Sequence, residues 1–198
     1  SLLKFSNLKN LVHVSIENTI LESNYLTLAN SKYVNYFSFL NCSIINLDSN
    51  FNFSMHMYLT KLDLRYNRIS SIKKHYFKSN PDLLILDLGF NLIEFIEDYS
   101  FENNRNLIVL LLNNNRMKIF HQKLLSHKKI INLIELNLRF NFLTYYQYDI
   151  DLSMSTKLEL NNNNLNEKTI RIINSQNFIH LNFDLNKIEK LDTKMFYE

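Results

Sequence analysis

The chain has 198 residues with one glycine, one proline, one cysteine and no tryptophan, and its formal net charge at pH 7 is +3. So small a charge does not indicate any one class of partner. The single glycine, Gly89, excludes a glycine-rich phosphate loop, and the longest apolar run, residues 107–112, is too short to cross a bilayer.

From the first residues onward, a pattern of apolar and polar residues returns at near-constant intervals. In one example, Leu62 and Leu64 are separated by one polar residue, and Asn67 follows three residues later. Successive units are 23, 25, 24, 24, 26, 22 and 23 residues apart at the asparagine position. This position is occupied by Thr19, Cys42, Asn67, Asn91, Asn115, Asn141, Asn163 and Asn186. Such self-similarity predicts a solenoid of eight units.

Each unit begins with a short predicted strand. Two apolar residues separated by one polar residue point to the same side of a strand. The four central strands are predicted over residues 61–65, 85–89, 109–113 and 135–139. Because one such strand cannot bury its apolar face alone, we expect the units to stack into one parallel sheet with a continuous core.

The recurring asparagine is predicted to be structural. The chain must turn after each strand, and the turning backbone is buried against the next unit, so its amides and carbonyls need partners. An asparagine side chain supplies both an acceptor and two donors, and can therefore bridge adjacent units. Thr19 and Cys42 each keep one donor, which explains their substitution at this position. We predict a ladder formed by the eight residues.

The pattern L-x-x-L-x-L-x-x-N-x-L resembles that of leucine-rich repeat proteins. In the second half of the units, Phe77, Phe101 and Phe196 each lie eight residues after an isoleucine. This arrangement resembles the "typical" 24-residue repeats of animal extracellular proteins such as Toll-type receptors, chaoptin and Slit. The units starting at Leu133 and Ser155 depart from it. The resemblance implies an α/β fold class: a right-handed leucine-rich repeat solenoid, or horseshoe, with a parallel concave β-sheet and a convex side of loops and short helices.

The same resemblance bears on domain organisation. We expect residues 1–198 to form a single leucine-rich repeat domain of about eight repeats. Extracellular members of the family usually carry disulfide-bonded caps, whereas Cys42 is the one cysteine here and its place in the frame predicts a buried thiol. A solenoid needs polar caps at its open ends. We therefore expect an internal fragment that lacks end caps.

Strand residues between the leucines are predicted to line the concave face. Ile85, Val109 and Leu111 are apolar at positions that the repeat exposes to water, and charged residues surround them, as in a protein-contact site. For these three, ligand contact and a purely structural role are equally supported. The full set of candidate ligand-binding residues is Arg65, Tyr66, Ile85, Phe90, Val109, Leu111, Arg139 and Phe140.

Tyr66, Phe90 and Phe140 occupy one repeat position, directly before the asparagine. An aromatic residue there is common in the family, and covering the turn is the favoured interpretation over ligand contact. Two glycosylation sequons start at Asn41 and Asn52, but a chain so rich in asparagine contains a few by chance. Asn41 also lies on the predicted inner face, where a glycan would block binding.

Nothing in the sequence indicates catalysis. The histidines show no metal-ligand spacing with cysteine or carboxylates, and we expect no enzyme activity, no cofactor and no metal. Acidic residues outnumber basic ones on the predicted inner face, which disfavours a nucleic acid. We expect a protein ligand or co-receptor, no membrane insertion by this segment, and leave a homodimer open.

The resemblance implies a protein-binding module of a receptor, adhesion or innate-immune ectodomain, outside the cell. The alternative is a cytoplasmic leucine-rich repeat scaffold or regulatory subunit, such as a phosphatase or ubiquitin-ligase adaptor. The sequence identifies neither the ligand nor the organism.

Overall fold

The computed structural model describes residues 3–4, 8, 10–21, 26–27, 33–47, 53, 56–125, 132–148, 156–173, 178–191 and 196–197. These residues form short parallel strands joined by turns. In chain order the strands are β1 (Leu3–Lys4), β2 (His13–Glu17), β3 (Leu26–Thr27), β4 (Tyr36–Leu40), β5 (Lys61–Asp63), β6 (Ser71–Ile72), β7 (Ile85–Asp87), β8 (Phe95–Ile96), β9 (Val109–Leu111), β10 (Ile119–His121), β11 (Glu135–Asn137), β12 (Tyr145–Tyr148), β13 (Thr156–Glu159), β14 (Ile170–Ile173), β15 (Phe178–Asn182) and β16 (Phe196–Tyr197).

One eight-stranded sheet contains one strand from each unit, in the order β15-β13-β11-β9-β7-β5-β4-β2. All its pairings are parallel. The residues at the second leucine position pair side by side along the whole sheet: Val14, Phe37, Leu62, Leu86, Leu110, Leu136, Leu158 and Leu181. The predicted solenoid with a parallel concave sheet is confirmed.

The opposite, convex side is less regular. Its strands form two two-stranded sheets, β1-β3 and β6-β8, and a four-stranded sheet, β10-β12-β14-β16. Among the described residues the helical structure is one 3-10 turn, Gln122–Leu124. No helix in this part of the chain is long and apolar enough to span a membrane.

The core lies between the two sides. Leucines of the concave strands pack against convex phenylalanines, and Phe77, Phe101 and Phe120 are fully buried. Ile16, Leu181 and Phe183 are only partly buried because they lie in the first and last units, which have a neighbour on one side. A continuous core that thins at its ends is what stacking of identical units produces.

The predicted strand lengths are wrong at the carboxyl ends. Residues 61–63, 85–87, 109–111 and 135–137 are strands, and each ends two residues before the predicted limit. In three units the side chain of the last strand residue is hydrogen-bonded to the turn that follows. Asp63, Asp87 and Asn137 each accept a hydrogen bond on Oδ1 from the amide two residues later, at 3.1, 3.0 and 3.2 Å. β9 ends at the equivalent residue, Leu111, without such a bond, so the turn ends the strand and the bond stabilises this turn where it is present.

Candidate ligand-binding face

A ladder of asparagine side chains joins successive units directly after the strands. Asn91 Nδ2 donates to the carbonyls of Leu64 in the preceding unit and Leu88 in its own, at 2.9 and 3.0 Å. Its Oδ1 accepts from the amide of Ile69 at 3.1 Å. The same arrangement recurs at Asn67, Asn115, Asn141, Asn163 and Asn186. Donor and acceptor are both used, so the ladder holds the shape of the turn on which the face is built.

The first two units vary the ladder. The Cys42 thiol donates to the carbonyls of Ile16 and Leu40 at 3.2 and 3.3 Å, which reproduces the donor half of an asparagine. Burial raises the pKa of this thiol. Thr19 is exposed, and its hydroxyl donates to the carbonyl of Glu17 in the same unit at 3.0 Å.

The residue before each ladder position has a left-handed backbone. Tyr66, Phe90 and Phe140 have φ values of 58°, 56° and 54°, and Asn114 and Asn162 share the conformation. The cause is the turn, in which the amides of Tyr66 and Phe90 donate to the carbonyls of Gly89 and Asn113 in the next unit. Asparagine tolerates this region, whereas an aromatic residue is costly there.

The three aromatic side chains lie beyond the strands, at the rim of the concave face, and all are exposed. The rings of Tyr66 and Phe90 stack, with centroids 4.3 Å apart and planes at 16°. Phe140 is separated from them by the unit that carries Asn114. The structure therefore brings two of the three predicted aromatics together and leaves the third apart.

Three aliphatic side chains form a patch on the strands. Ile85 and Val109 are register partners in adjacent strands, and Leu111 lies two residues after Val109 on the same side of the sheet. All three are partly exposed, while Leu86 and Leu110 between them are fully buried. We call Ile85, Val109 and Leu111 the aliphatic patch.

A charged cluster borders the patch. Arg65 Nη2 lies 2.7 Å from Asp63 Oδ2, and Arg65 Nε lies 3.2 Å from Asp87 Oδ2. Burial raises the pKa of Asp87 to about 6, and the neighbouring carboxylate of Asp63 adds to the shift, while Arg65 and the Gly89 amide oppose it. These contacts raise the pKa of the Arg65 guanidinium and keep it charged.

The other side of the patch is bordered by Lys157, which lies 3.2 Å from Glu135 and 3.3 Å from Glu159. Hydrogen bonds to these carboxylates raise the pKa of the Lys157 ammonium. Arg139 is exposed nearby in the sixth unit. The concave face therefore has an aliphatic centre between two groups of paired charges.

Asn41 is exposed, and its Nδ2 donates to Asn18 Oδ1 at 2.8 Å. Asn52 lies outside the described residues. In the part of the chain that the structure describes, no three histidine, cysteine or carboxylate side chains are grouped so as to hold a metal ion.

Two further asparagines, Asn80 and Asn104, form a second ladder that was not predicted from the sequence. Both are fully buried on the convex side. Asn80 Nδ2 donates to the carbonyls of Phe53 and His56 at 3.0 and 2.9 Å, and Asn104 Nδ2 donates to those of Phe77 and Asn80 at 3.0 and 2.8 Å. We call this pair the outer ladder and the six asparagines after the strands the inner ladder. The spacing of the outer pair, one unit apart, was the signal in the sequence.

Comparison with known proteins supports the repeat assignment. Residues 58–117 match the family model described as leucine rich repeat. No curated protein sequence matches the chain.

Several solved structures have the same fold. A chain of the octameric complex of Latrophilin 3, Unc5D and FLRT2, in which FLRT2 contributes the leucine-rich repeat domain, superposes with a TM-score of 0.71 at 19% identity, over 94% of this chain and 57% of its own. A chain of the Drosophila Toll–Spatzle complex superposes with a TM-score of 0.67 at 19% identity, over 94% of this chain and 29% of its own. A chain of a TLR13–ssRNA13 complex superposes with a TM-score of 0.61 at 23% identity, over 86% of this chain and 24% of its own.

This chain thus spans less than two thirds of the length of each of these proteins. Residues 58–117 consist of leucine-rich repeats, and the described part of the chain adopts the leucine-rich repeat fold.

Proposed function

We propose that this chain is the protein-binding module of a receptor or adhesion ectodomain, and that it contacts a protein ligand through the concave face of its third to sixth units. The aliphatic patch carries the proposal. Ile85, Val109 and Leu111 remain partly exposed on a sheet whose buried side already has a complete core. A partner that covers them removes apolar surface from water, at about 25 cal/mol per Å².

The charges around the patch favour a protein over a nucleic acid. The cations on either side, Arg65 and Lys157, are each paired with two carboxylates. A phosphate backbone that approached either of these cations would also meet its two carboxylates. Paired charges around an apolar centre instead resemble the polar rim of a protein interface.

The fold neighbours agree with this proposal without identifying the ligand. The Toll structure is a complex with Spatzle, and FLRT2 is found in a complex with Latrophilin 3 and Unc5D. The TLR13 structure contains ssRNA13, so the fold alone does not decide the ligand class. In this chain the paired charges of the concave face favour a protein ligand.

A binding screen against a library of secreted and cell-surface ectodomains tests the proposal. We expect a partner whose binding Val109→Asp weakens at least about tenfold, because the interface would bury an unpaired carboxylate. Lys78→Glu is the control, since Lys78 is exposed on the convex side. Lys74 is a poorer control because its ammonium lies 3.2 Å from Glu102.

Thermal melts of both variants separate binding from folding. If a partner binds Val109→Asp as tightly as the unaltered chain and loses Lys78→Glu, the ligand site lies on the convex side and the concave proposal is wrong.

Extracellular location is part of the same proposal, with an intracellular scaffold as the alternative. Expression behind a signal peptide in animal cells, followed by endoglycosidase treatment, tests whether Asn41 and Asn52 accept glycans. We expect secretion of a folded chain; retention as aggregate would favour the cytoplasmic alternative. Sedimentation of the purified chain alone tests the homodimer.

A further inference from the structure

A cleft opens on the flank of the solenoid, away from the concave sheet. Its volume is about 410 Å³, and it is lined by Glu94, Phe95, Arg116, Lys118 and Phe142. These residues belong to the fourth, fifth and sixth units and directly follow the inner ladder. We call this feature the flank cleft.

The cleft coincides with a break in the convex side. Strands β6 and β8 pair with each other, as do β10 and β12, but no pairing joins β8 to β10 within the described residues 91–125. Backbone bonds bracket the opening: Arg116 N donates to the Ile93 carbonyl at 2.9 Å, and Tyr99 N donates to the Lys123 carbonyl at 2.8 Å. The units stay in register on both sides, so the opening is local.

Apolar side chains at the break are unusually exposed. Phe95 is 61% exposed and Phe142 51%, and Ile119, which follows Lys118, is 56% exposed. The equivalent of Phe95 in the preceding unit is Ser71. Two phenylalanines open to water beside a concavity form a site for an apolar side chain from outside the chain.

The charges at the cleft determine which residues of the partner can flank that side chain. Arg116 lies 3.8 Å from Glu94, and both side chains are more than half exposed. Lys118 has no carboxylate within 4.0 Å among the described residues. The lining therefore carries two cations and one carboxylate, a net positive charge beside an apolar surface.

We propose that the flank cleft is a second docking site, which takes a protein segment with an aromatic or aliphatic anchor next to an aspartate or glutamate. The anchor enters between Phe95 and Phe142, and the carboxylate pairs with Lys118. This site is separate from the concave face and does not depend on the function proposed for it. A chain with both sites would contact two protein surfaces at once.

Three blocked tripeptides serve as probes: aspartyl-phenylalanyl-aspartate, lysyl-phenylalanyl-lysine and aspartyl-alanyl-aspartate, each acetylated and amidated. Titrations are followed by NMR on the ¹⁵N-labelled 198-residue chain. The first peptide is expected to cause saturable shifts at the amides of Phe95, Lys118 and Phe142, and to bind more tightly than the other two. Lys118→Glu should weaken it about three- to fivefold, the size of one exposed ion pair.

The controls distinguish this site from a general effect of charge and from the concave face. Lys187→Glu makes the same change at an exposed position in the last unit and should leave binding of the first peptide unaltered. Val109→Asp should also leave it unaltered, whatever its effect on a ligand of the concave face. The proposal is overturned if no peptide causes saturable shifts at the cleft, if acidic and basic peptides bind equally, or if Lys118→Glu and Lys187→Glu behave alike.

Discussion

The concave and convex sides of this solenoid differ in the regularity of their strand pairing, although every unit contributes to both. The concave side is one sheet of eight strands whose register shifts once, between β13 and β15, whereas the other strands divide into two sheets of two and one of four. The strand frame is constant in sequence, while the distance between ladder positions varies from 22 to 26 residues. Insertions are thus accommodated after the ladder, on the convex side.

The two asparagine ladders show the same contrast. In the inner ladder, the side-chain oxygen and amide nitrogen of Asn91 both have partners. In the outer ladder, Asn80 and Asn104 donate from Nδ2, but their buried Oδ1 atoms have no partner among the described residues. The inner asparagines use both their donors and their acceptor, whereas the outer asparagines use only their donors. Substitution of an inner asparagine should therefore destabilise the fold more than substitution of an outer one.

The largest expected effect comes from the core behind the concave sheet. Leu88 is fully buried, and Leu88→Ala should destabilise the fold by about 2–5 kcal/mol because it leaves a cavity. The matched change on the convex side, Ile119→Ala, removes an exposed side chain and should stay within about 0.5 kcal/mol. Denaturant melts measure both, and equal midpoint shifts would contradict the assignment of the core.

The second-largest loss of stability is expected from substitutions in the two asparagine ladders. Asn91→Leu removes partners from the Leu64 and Leu88 carbonyls and the Ile69 amide, and should cost about 1–3 kcal/mol. Asn104→Leu unpairs two carbonyls but also removes a buried oxygen for which the described part of the chain provides no donor, so its cost should be about 1 kcal/mol less. Denaturant melts rank the two; the reverse order would show that the outer ladder carries more of the stability.

The sequence was sufficient for features that repeat. The spacing of Leu62, Leu64 and Asn67, repeated along the chain, predicted the parallel sheet, its register and the buried position of the asparagine. Features that depend on one unit were not accessible in this way. The strand ends follow from the turn before each ladder position, and a pattern of apolar residues does not report its left-handed backbone.

The candidate site could be predicted from the sequence to a similar degree. The alternation of strand residues placed Ile85, Val109 and Leu111 on the concave side, where the structure has them. It also placed Tyr66 and Phe90 directly before the asparagine with turn covering as the favoured interpretation, and they lie in the turn; their left-handed backbones were not predicted. The flank cleft was missed because Phe95 and Phe142 fall at different positions of their units, and only the stacking of units brings them together.

A smaller and pH-dependent effect is expected at Asp87, whose side chain is 14% exposed. Its folded-state pKa of about 6 lies above the ordinary 3.8. The folded state therefore holds the proton more tightly, so this carboxyl lowers stability as pH rises from about 4 to 6. Asp87→Asn keeps the acceptor for the Gly89 amide, as Asn137 does for Arg139 in its own unit.

We expect Asp87→Asn to stabilise the chain at pH 7 by about 1–2 kcal/mol. The roughly 3 kcal/mol that the pKa shift corresponds to is the upper limit, and it already includes the attraction between Asp87 and Arg65. At pH 3.5 the two proteins should have equal stability. Denaturant melts across this range measure the difference; a variant less stable than the parent at pH 7 would mean that the Arg65 ion pair outweighs the burial of Asp87.

The smallest expected effect lies at the rim, where the two sides meet. The stacked rings of Tyr66 and Phe90 should couple by about 0.5 kcal/mol, the lower end for aromatic pairs because both rings are exposed. A double-mutant cycle with alanine isolates this coupling, since alanine retains the cost of the left-handed backbone at both positions. The same cycle for Phe90 and Phe140 is the control, because the unit carrying Asn114 separates them and their coupling should be zero within error. If both cycles give zero, the stack adds nothing to stability, and the single alanine variants then measure only what each ring contributes by covering its own turn.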